Sequence, residues 1–127
     1  MLNDLAWTLL QLKEFAPAEQ RAREAVTRMP NFGAAWDTLG LILTHAGRHD
    51  EAATALERAI TLGGRHPLLL AHLARARFGL GDIAAARLLL QEAVSVKREL
   101  TPQEDEEIRA VRQLLKGRQE SQAKGEK

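Results

Sequence analysis

The chain contains no cysteine and no tyrosine, and its aromatic side chains are limited to two tryptophans and three phenylalanines. Without cysteine there are no disulfides, no thiolate nucleophile and no Cys-based metal site. An excess of one charge is missing too. With 18 basic and 17 acidic residues the formal net charge is +1, which gives no bulk attraction for nucleic acid or an anionic membrane. No apolar run approaches the roughly 18 residues of a membrane span. The opening stretch MLNDLAWTLLQLKEF lacks the basic start and small-residue cleavage site of a secretory signal, so cytoplasm is the default placement. What remains is 127 residues, 45% of them hydrophobic and dominated by Ala and Leu, the composition of one helical domain. Thirteen arginines against five lysines, with the same Ala-Leu bias, point to a high-GC bacterial source.

The sequence repeats itself. Displaced forward by 34 residues, Leu39 falls on Leu73, Gly40 on Ala74, Gly47 on Gly81, Ala52 on Ala86, Leu56 on Leu90, Ala59 on Ala93 and Ile60 on Val94. Displaced backward by the same step, Leu39 meets Leu5, Gly40 meets Ala6, Leu43 meets Leu9, Ala52 meets Ala18, Ala59 meets Ala25 and Ile60 meets Val26. Small residues land on small ones and branched aliphatics on branched aliphatics, the mark of a stacked repeat.

The matches have a physical meaning. Small residues at 6, 40 and 74, and at 18, 52 and 86, suit the close crossing of two antiparallel helices. Leu39, Leu43, Leu56 and Ile60, spaced by four within each helix, form its core stripe. Gly47 and Gly81 suit the tight turn between the helices. Pro17 and Pro67 fit first-turn positions and Asp82 an N-cap, whereas Pro30 and Gly63-Gly64 stop the second helices. The pattern predicts helices near 2–12, 16–28, 33–46, 50–62, 67–79 and 83–98.

A 34-residue helix-turn-helix carrying Trp36, Leu39, Gly40, Leu43, Gly47, Ala52, Leu56 and Ala59 resembles the tetratricopeptide repeat. The resemblance covers residues 1–100 in three copies, about 1–32, 33–66 and 67–100. The first copy has Lys13 in place of the turn glycine; in the third, Leu70 replaces the Trp and Arg77 replaces Leu43. It implies an all-α, right-handed superhelical stack of antiparallel helix pairs that binds other proteins and has no enzymatic activity.

Beyond Leu100, Thr101 with Glu104 forms a capping box, Pro102 takes the first helical position, and Asp105, Glu106 and Glu107 suit the positive end of the helix dipole. Ile108, Val111, Leu114 and Leu115 make one apolar stripe, and Lys116-Gly117 reads as the helix end. A helix over 102–116 is expected to cap the open face of the last repeat, with a partner-binding helix as the alternative. The domain then spans 1–117, and 118–127 reads as a polar, disordered tail. No cap precedes the first helix. That end is expected to continue into a longer array or larger protein, or to associate through Leu2 and Leu5.

The first helices of successive repeats line the concave surface of such a stack. Positions 34 apart form rows: Asn3, Asp37 and Ala71; Trp7, Leu41 and Arg75; Gln11, His45 and Gly79; with Thr38 and His72, and Leu10 and Phe78, alongside. The candidate groove is therefore Asn3, Trp7, Leu10, Gln11, Asp37, Thr38, Leu41, His45, His72, Arg75 and Phe78. Trp7 is its expected hot spot, or else a packing residue at the uncapped end. Arg75 is expected to pair with Asp37, with a ligand carboxylate as the alternative. Some members of the family are co-chaperones that clamp a partner's C-terminal carboxylate with Lys, Asn and Arg. The corresponding places here hold Asn3 and Trp7, Thr38, then Leu68 and His72, which argues against recognition of a heat-shock chaperone tail.

Other chemistry is weaker. GLGDIA, at 79–84, lacks the preceding strand a dinucleotide fingerprint requires. His45 and His49 have metal-pair spacing, but Gly47 breaks the helix between them, so solvated histidines are expected, as for His66 and His72, with no metal or cofactor. The acidic run at 104–107 is explained by the helix dipole. Arg21, Arg23 and Arg28 alternate with acids, a solvated face and not a nucleic-acid stripe. The function expected is binding of an extended or helical segment of another protein in the groove. Self-association through the N-terminal helix is the alternative.

Overall fold

The computed structural model describes residues 1–125. Its order is α1 (Leu2–Gln11), α2 (Phe15–Arg28), α3 (Gly33–His45), α4 (His49–Gly63), α5 (Pro67–Gly79), α6 (Ile83–Val94) and α7 (Pro102–Gly125), with no strand among the described residues. This is an all-α helical repeat: three hairpins, α1–α2, α3–α4 and α5–α6, and a final helix.

The three hairpins close in the same way. Gly47 and Gly81 take φ of 80° and 82°, and Lys13, in the first repeat, takes 62° without being glycine. In each turn the next amide reaches back to a carbonyl of the last turn: Glu14 N to Leu9 O, Arg48 N to Leu43 O and Asp82 N to Arg77 O, each 2.9 Å. These are the paired closures of a left-handed helix cap. Asp82 also caps α6, its Oδ1 accepting from Ala85 N at 3.2 Å.

Within a hairpin the small residues permit close crossing. Ala6, Ala18, Ala52, Ala74 and Ala86 are fully buried. A Cβ on Gly40 would lie 2.5 Å from Leu56 Cγ, so a side chain there requires Leu56, or the helix that carries it, to shift. Between hairpins, each first helix packs mainly on the preceding second helix, α3 on α2 and α5 on α4. First helices also touch one another, whereas the backbones of α2, α4 and α6 stay apart. The stack therefore curves with α1, α3 and α5 on its inner side.

Two features differ from the sequence expectations, and a third settles what the sequence left open. α6 ends at Val94 and not near 98: Ser95 Oγ donates to Glu92 O at 2.7 Å, and Arg98 is drawn away to Glu104, at 2.8 and 2.9 Å. α7 does not stop at Lys116. It continues to Gly125, so residues 118–125 of the expected disordered tail are helical; Glu126 and Lys127 lie outside the described residues. Gly117 keeps a negative φ, and the Arg, Gln, Glu, Ala and Lys residues that follow favour helix. Lastly, α7 packs mainly on α5 and less on α6, the reverse of the order in the repeats. Ile108, Val111 and Leu115 are buried by that contact and Leu114 is half-buried. The capping box forms as expected, with Thr101 N donating to Glu104 Oε1 at 2.8 Å and Glu104 N to Thr101 Oγ1 at 3.1 Å.

Candidate binding groove

On the inner side lies a cavity of about 450 Å³ lined by Trp7, Leu10, Gln11, Lys13, Phe15, Leu41, His45, Leu68, His72, Arg75, Gln103, Glu106 and Glu107. The volume falls within the range of small-ligand and side-chain pockets. Helix periodicity explains the α1, α3 and α5 contributions, since residues three and four apart share a face. Trp7, Leu10 and Gln11 recur at that spacing, as do Leu41 with His45, and Leu68 with His72 and Arg75.

Of the residues expected in the groove, the fold brings together Trp7, Leu10, Gln11, Leu41, His45, His72 and Arg75. Asn3, Asp37, Thr38 and Phe78 do not line it. Asn3 is half-buried, and its Oδ1 is buried without a hydrogen-bond partner. The Thr38 hydroxyl donates to Ala34 O of its own helix at 3.0 Å. Phe78 packs against the core. Asp37 sits behind the lining, where its Oδ1 is 2.8 Å from His72 Nδ1. That contact fixes the imidazole plane, and it makes His72 a buried group and not the solvated one the sequence suggested. His49, also expected in solvent, lies against α5: a Cβ on Gly79 would fall 2.3 Å from its Nδ1.

Arg75 corrects another expectation. Its partner is Glu107 of α7, with Nε donating to Oε1 at 2.8 Å, and not Asp37. This ion pair crosses from the third repeat to the last helix, so α7 forms one wall of the groove. His45 stacks on Phe15 with ring centroids 6.1 Å apart and planes 13° from parallel. His45 remains exposed, but partial desolvation in the groove, and then the nearby Arg75 guanidinium, push it below the ordinary imidazole value. The Trp7 end of the cavity is the more apolar, with Trp7, Leu10, Phe15 and Leu41 beside Gln11 and Lys13. The other is polar, made by His72, Arg75, Gln103, Glu106 and Glu107.

Sequence reasoning missed Lys13, Phe15, Leu68, Gln103, Glu106 and Glu107. Phe15 comes from a second helix, which the rows of first-helix positions ignore. Gln103, Glu106 and Glu107 share a face at helical spacing, but their stripe does not reveal which side of the stack α7 joins. Among the described residues, no group of three His, Cys, Asp or Glu side chains converges to hold a metal ion. Among the described residues, no helix is long and apolar enough to cross a membrane.

Two solved structures share this architecture. The type III secretion translocator chaperone SycD of Yersinia enterocolitica, in an alternative dimer, superposes with a TM-score of 0.76 at 20% identity, over 95% of this chain and 91% of that one. SycD in complex with a peptide of the translocator YopD gives 0.75 at 19% identity, over 95% and 92%. No curated protein matches the sequence. Sequence profiles described as Tetratricopeptide repeat match residues 1–29 and 32–99. With those matches spanning all three hairpins, the chain belongs to the tetratricopeptide repeat family of protein-interaction modules.

Proposed function

We propose that the groove binds a segment of a partner polypeptide, anchored by an apolar side chain at its Trp7 end. The observation that carries this reading is Trp7 itself. It is 40% exposed, yet it lines a cavity beside Leu10, Phe15 and Leu41. A rigid aromatic in a recess is the usual form of a binding hot spot. The complex of SycD with a YopD peptide supports the idea that this architecture accommodates a peptide guest. Peptides selected on the chain from a random display library provide the probe. In Trp7→Ala their affinity is expected to fall by roughly 30-fold, the scale of losing one hot spot. Leu41→Ala tests the floor of the same site and is interpreted only if its unfolding remains cooperative. If every selected peptide keeps its affinity in Trp7→Ala, the groove is rejected as a binding surface.

A second reading, self-association through α1, has its own observation. Leu5 is 44% exposed, while its counterparts one and two repeats on, Leu39 and Leu73, are 3% and 5% exposed. Those two are covered by the preceding second helix; Leu5 has none beside it, and Met1, Met29 and Phe32 extend the apolar surface. Sedimentation over a wide concentration range is expected to show a dimer that Leu5→Glu abolishes. Monomeric mass at all concentrations overturns this reading and leaves the groove reading untouched.

A further inference from the structure

The inward lean of α7 leaves a second recess on the opposite side of the molecule. It lies between α6 and α7 and has a volume of about 300 Å³. Its floor is Leu90 and Leu115, both buried, with Val94 at the edge. The repeat frame shows why it is open. Val94 is 40% exposed, whereas the same position in the earlier repeats, Val26 and Ile60, is 9% and 7% exposed. In those repeats the next first helix lies across the position. α7 takes that role only in part, because most of its contact is with α5.

The rim carries Arg87 from α6 and Arg112 and Lys116 from α7, and no carboxylate lines the recess. Among the described residues none of these three cations is in an ion pair, although Arg23, Arg48, Arg65, Arg75 and Arg77 each hold one. Glu92 is engaged by Arg65, Glu104 by Arg98, Glu107 by Arg75 and Asp105 by Arg109, while Glu106 lines the inner groove. A chain with a net charge of +1 has thus placed three unneutralised cations around one apolar trough. The charge calls for a carboxylate-bearing guest and the floor for an aliphatic one.

We propose that the α6–α7 recess docks an acidic segment of a partner protein, one aliphatic or aromatic side chain entering between Leu90 and Leu115 while flanking Asp or Glu side chains meet Arg87, Arg112 and Lys116. This site is independent of the concave groove. A nucleic acid is a poorer occupant, since the recess offers no aromatic face for base stacking. An anionic bilayer fits less well because Leu90 and Leu115 are recessed and do not protrude. A second copy of the chain is a poorer occupant, because its carboxylates outside ion pairs, Asp4, Glu14, Asp50, Asp82, Glu99, Glu106 and Glu120 among the described residues, are scattered along the sequence and do not form one acidic segment.

The test is to pan a random-peptide phage library on the full chain, then titrate enriched peptides against the chain and two variants. In Arg87→Glu/Lys116→Glu both changes are on exposed side chains, and circular dichroism checks that the fold is kept. The other variant is Trp7→Ala. The expected result is a class of Asp/Glu-rich peptides with a central Leu, Ile or Phe. Their affinity should fall about tenfold or more in the charge-reversed variant, weaken with added salt, and stay unchanged in Trp7→Ala. Absence of acidic peptides, acidic peptides that tolerate the reversal, or acidic peptides lost in Trp7→Ala would each overturn the proposal. So would tighter, reversal-sensitive binding of oligothymidylate or phosphatidylserine vesicles. Loss of the groove peptides alone bears on the groove and not on this site.

Discussion

Gly40→Ala sets two known effects against each other. In a helix interior, alanine in place of glycine is worth about 1 kcal/mol of stabilisation. Gly40, however, faces Leu56 across the α3–α4 crossing, and an added Cβ would lie 2.5 Å from Cγ and 2.6 Å from Cδ2. That is about 1 Å inside ordinary carbon–carbon contact. Leu56 is fully buried, and the clash involves its branch carbon, which a terminal rotation does not remove. Overpacking of this kind costs roughly 1–3 kcal/mol, and a contact so short belongs in the upper part of that range. The net expectation is destabilisation by about 1–2 kcal/mol.

A double-mutant cycle sharpens the test. Leu56→Ala alone leaves a cavity and costs roughly 2–5 kcal/mol. Combined with Gly40→Ala it recreates the pair found one repeat earlier, Ala6 opposite Ala22, both fully buried. The clash vanishes in the double variant, so its loss should be smaller than the sum of the single losses by about 2 kcal/mol. Denaturant unfolding followed by circular dichroism and by tryptophan fluorescence gives the four energies, provided the two probes coincide. If Gly40→Ala raises the midpoint, or if the losses add within about 0.5 kcal/mol, the close crossing does not set the hairpin geometry.

The turn and cap chemistry gives two further expectations. Lys13 adopts the left-handed φ of 62° where the other turns have glycine, so Lys13→Gly should stabilise by roughly 0.5–1 kcal/mol and raise the melting midpoint by a few degrees. A lower midpoint would mean the lysine side chain contributes more than its backbone costs. Glu104 is held down at about 2, mainly by the Arg98 guanidinium and secondarily by the Thr101 amide, and Arg48 does the same to Glu19. Both carboxylates titrate lower when folded, so their stabilisation is complete above the unfolded value of 4.5 and is lost as pH falls from there toward about 2. Glu104→Gln should flatten the fall in unfolding free energy between about pH 5 and 2; an unchanged slope would show that the capping box is not the acid-sensitive element.

Much of this architecture was legible because it rests on local rules repeated three times. Gly47 and Gly81 announce their turns through a backbone conformation other residues avoid, and Thr101 with Glu104 announces a helix start through two reciprocal hydrogen bonds. Lys13 shows the limit: the turn forms without glycine because the same pair of backbone closures is available. Long-range choices were not legible. The segment Ser95–Leu100 has no helix breaker, and α6 ends early because Arg98 is drawn to Glu104. The stripe Ile108, Val111 and Leu115 says that α7 must bury a face, but the same stripe suits α5 or α6. On that one unreadable choice depend the partner of Arg75 and half of the groove's polar wall.

The position of α7 links the two surfaces. Were it to lie along α6, as α3 lies along α2, Val94 would be covered and Glu107 would leave Arg75. The guanidinium, about three-quarters buried and close to His45 and His72, would then lose its carboxylate. Losing that charge-assisted hydrogen bond costs on the order of 1.5–3 kcal/mol, more than the burial of part of one valine returns. The start of α7 is fixed as well, because Arg98 and Thr101 both hold Glu104. The ion pair that closes the inner groove is thus the same contact that keeps the outer recess open, so the groove's polar end and the cationic trough are two consequences of one helix placement.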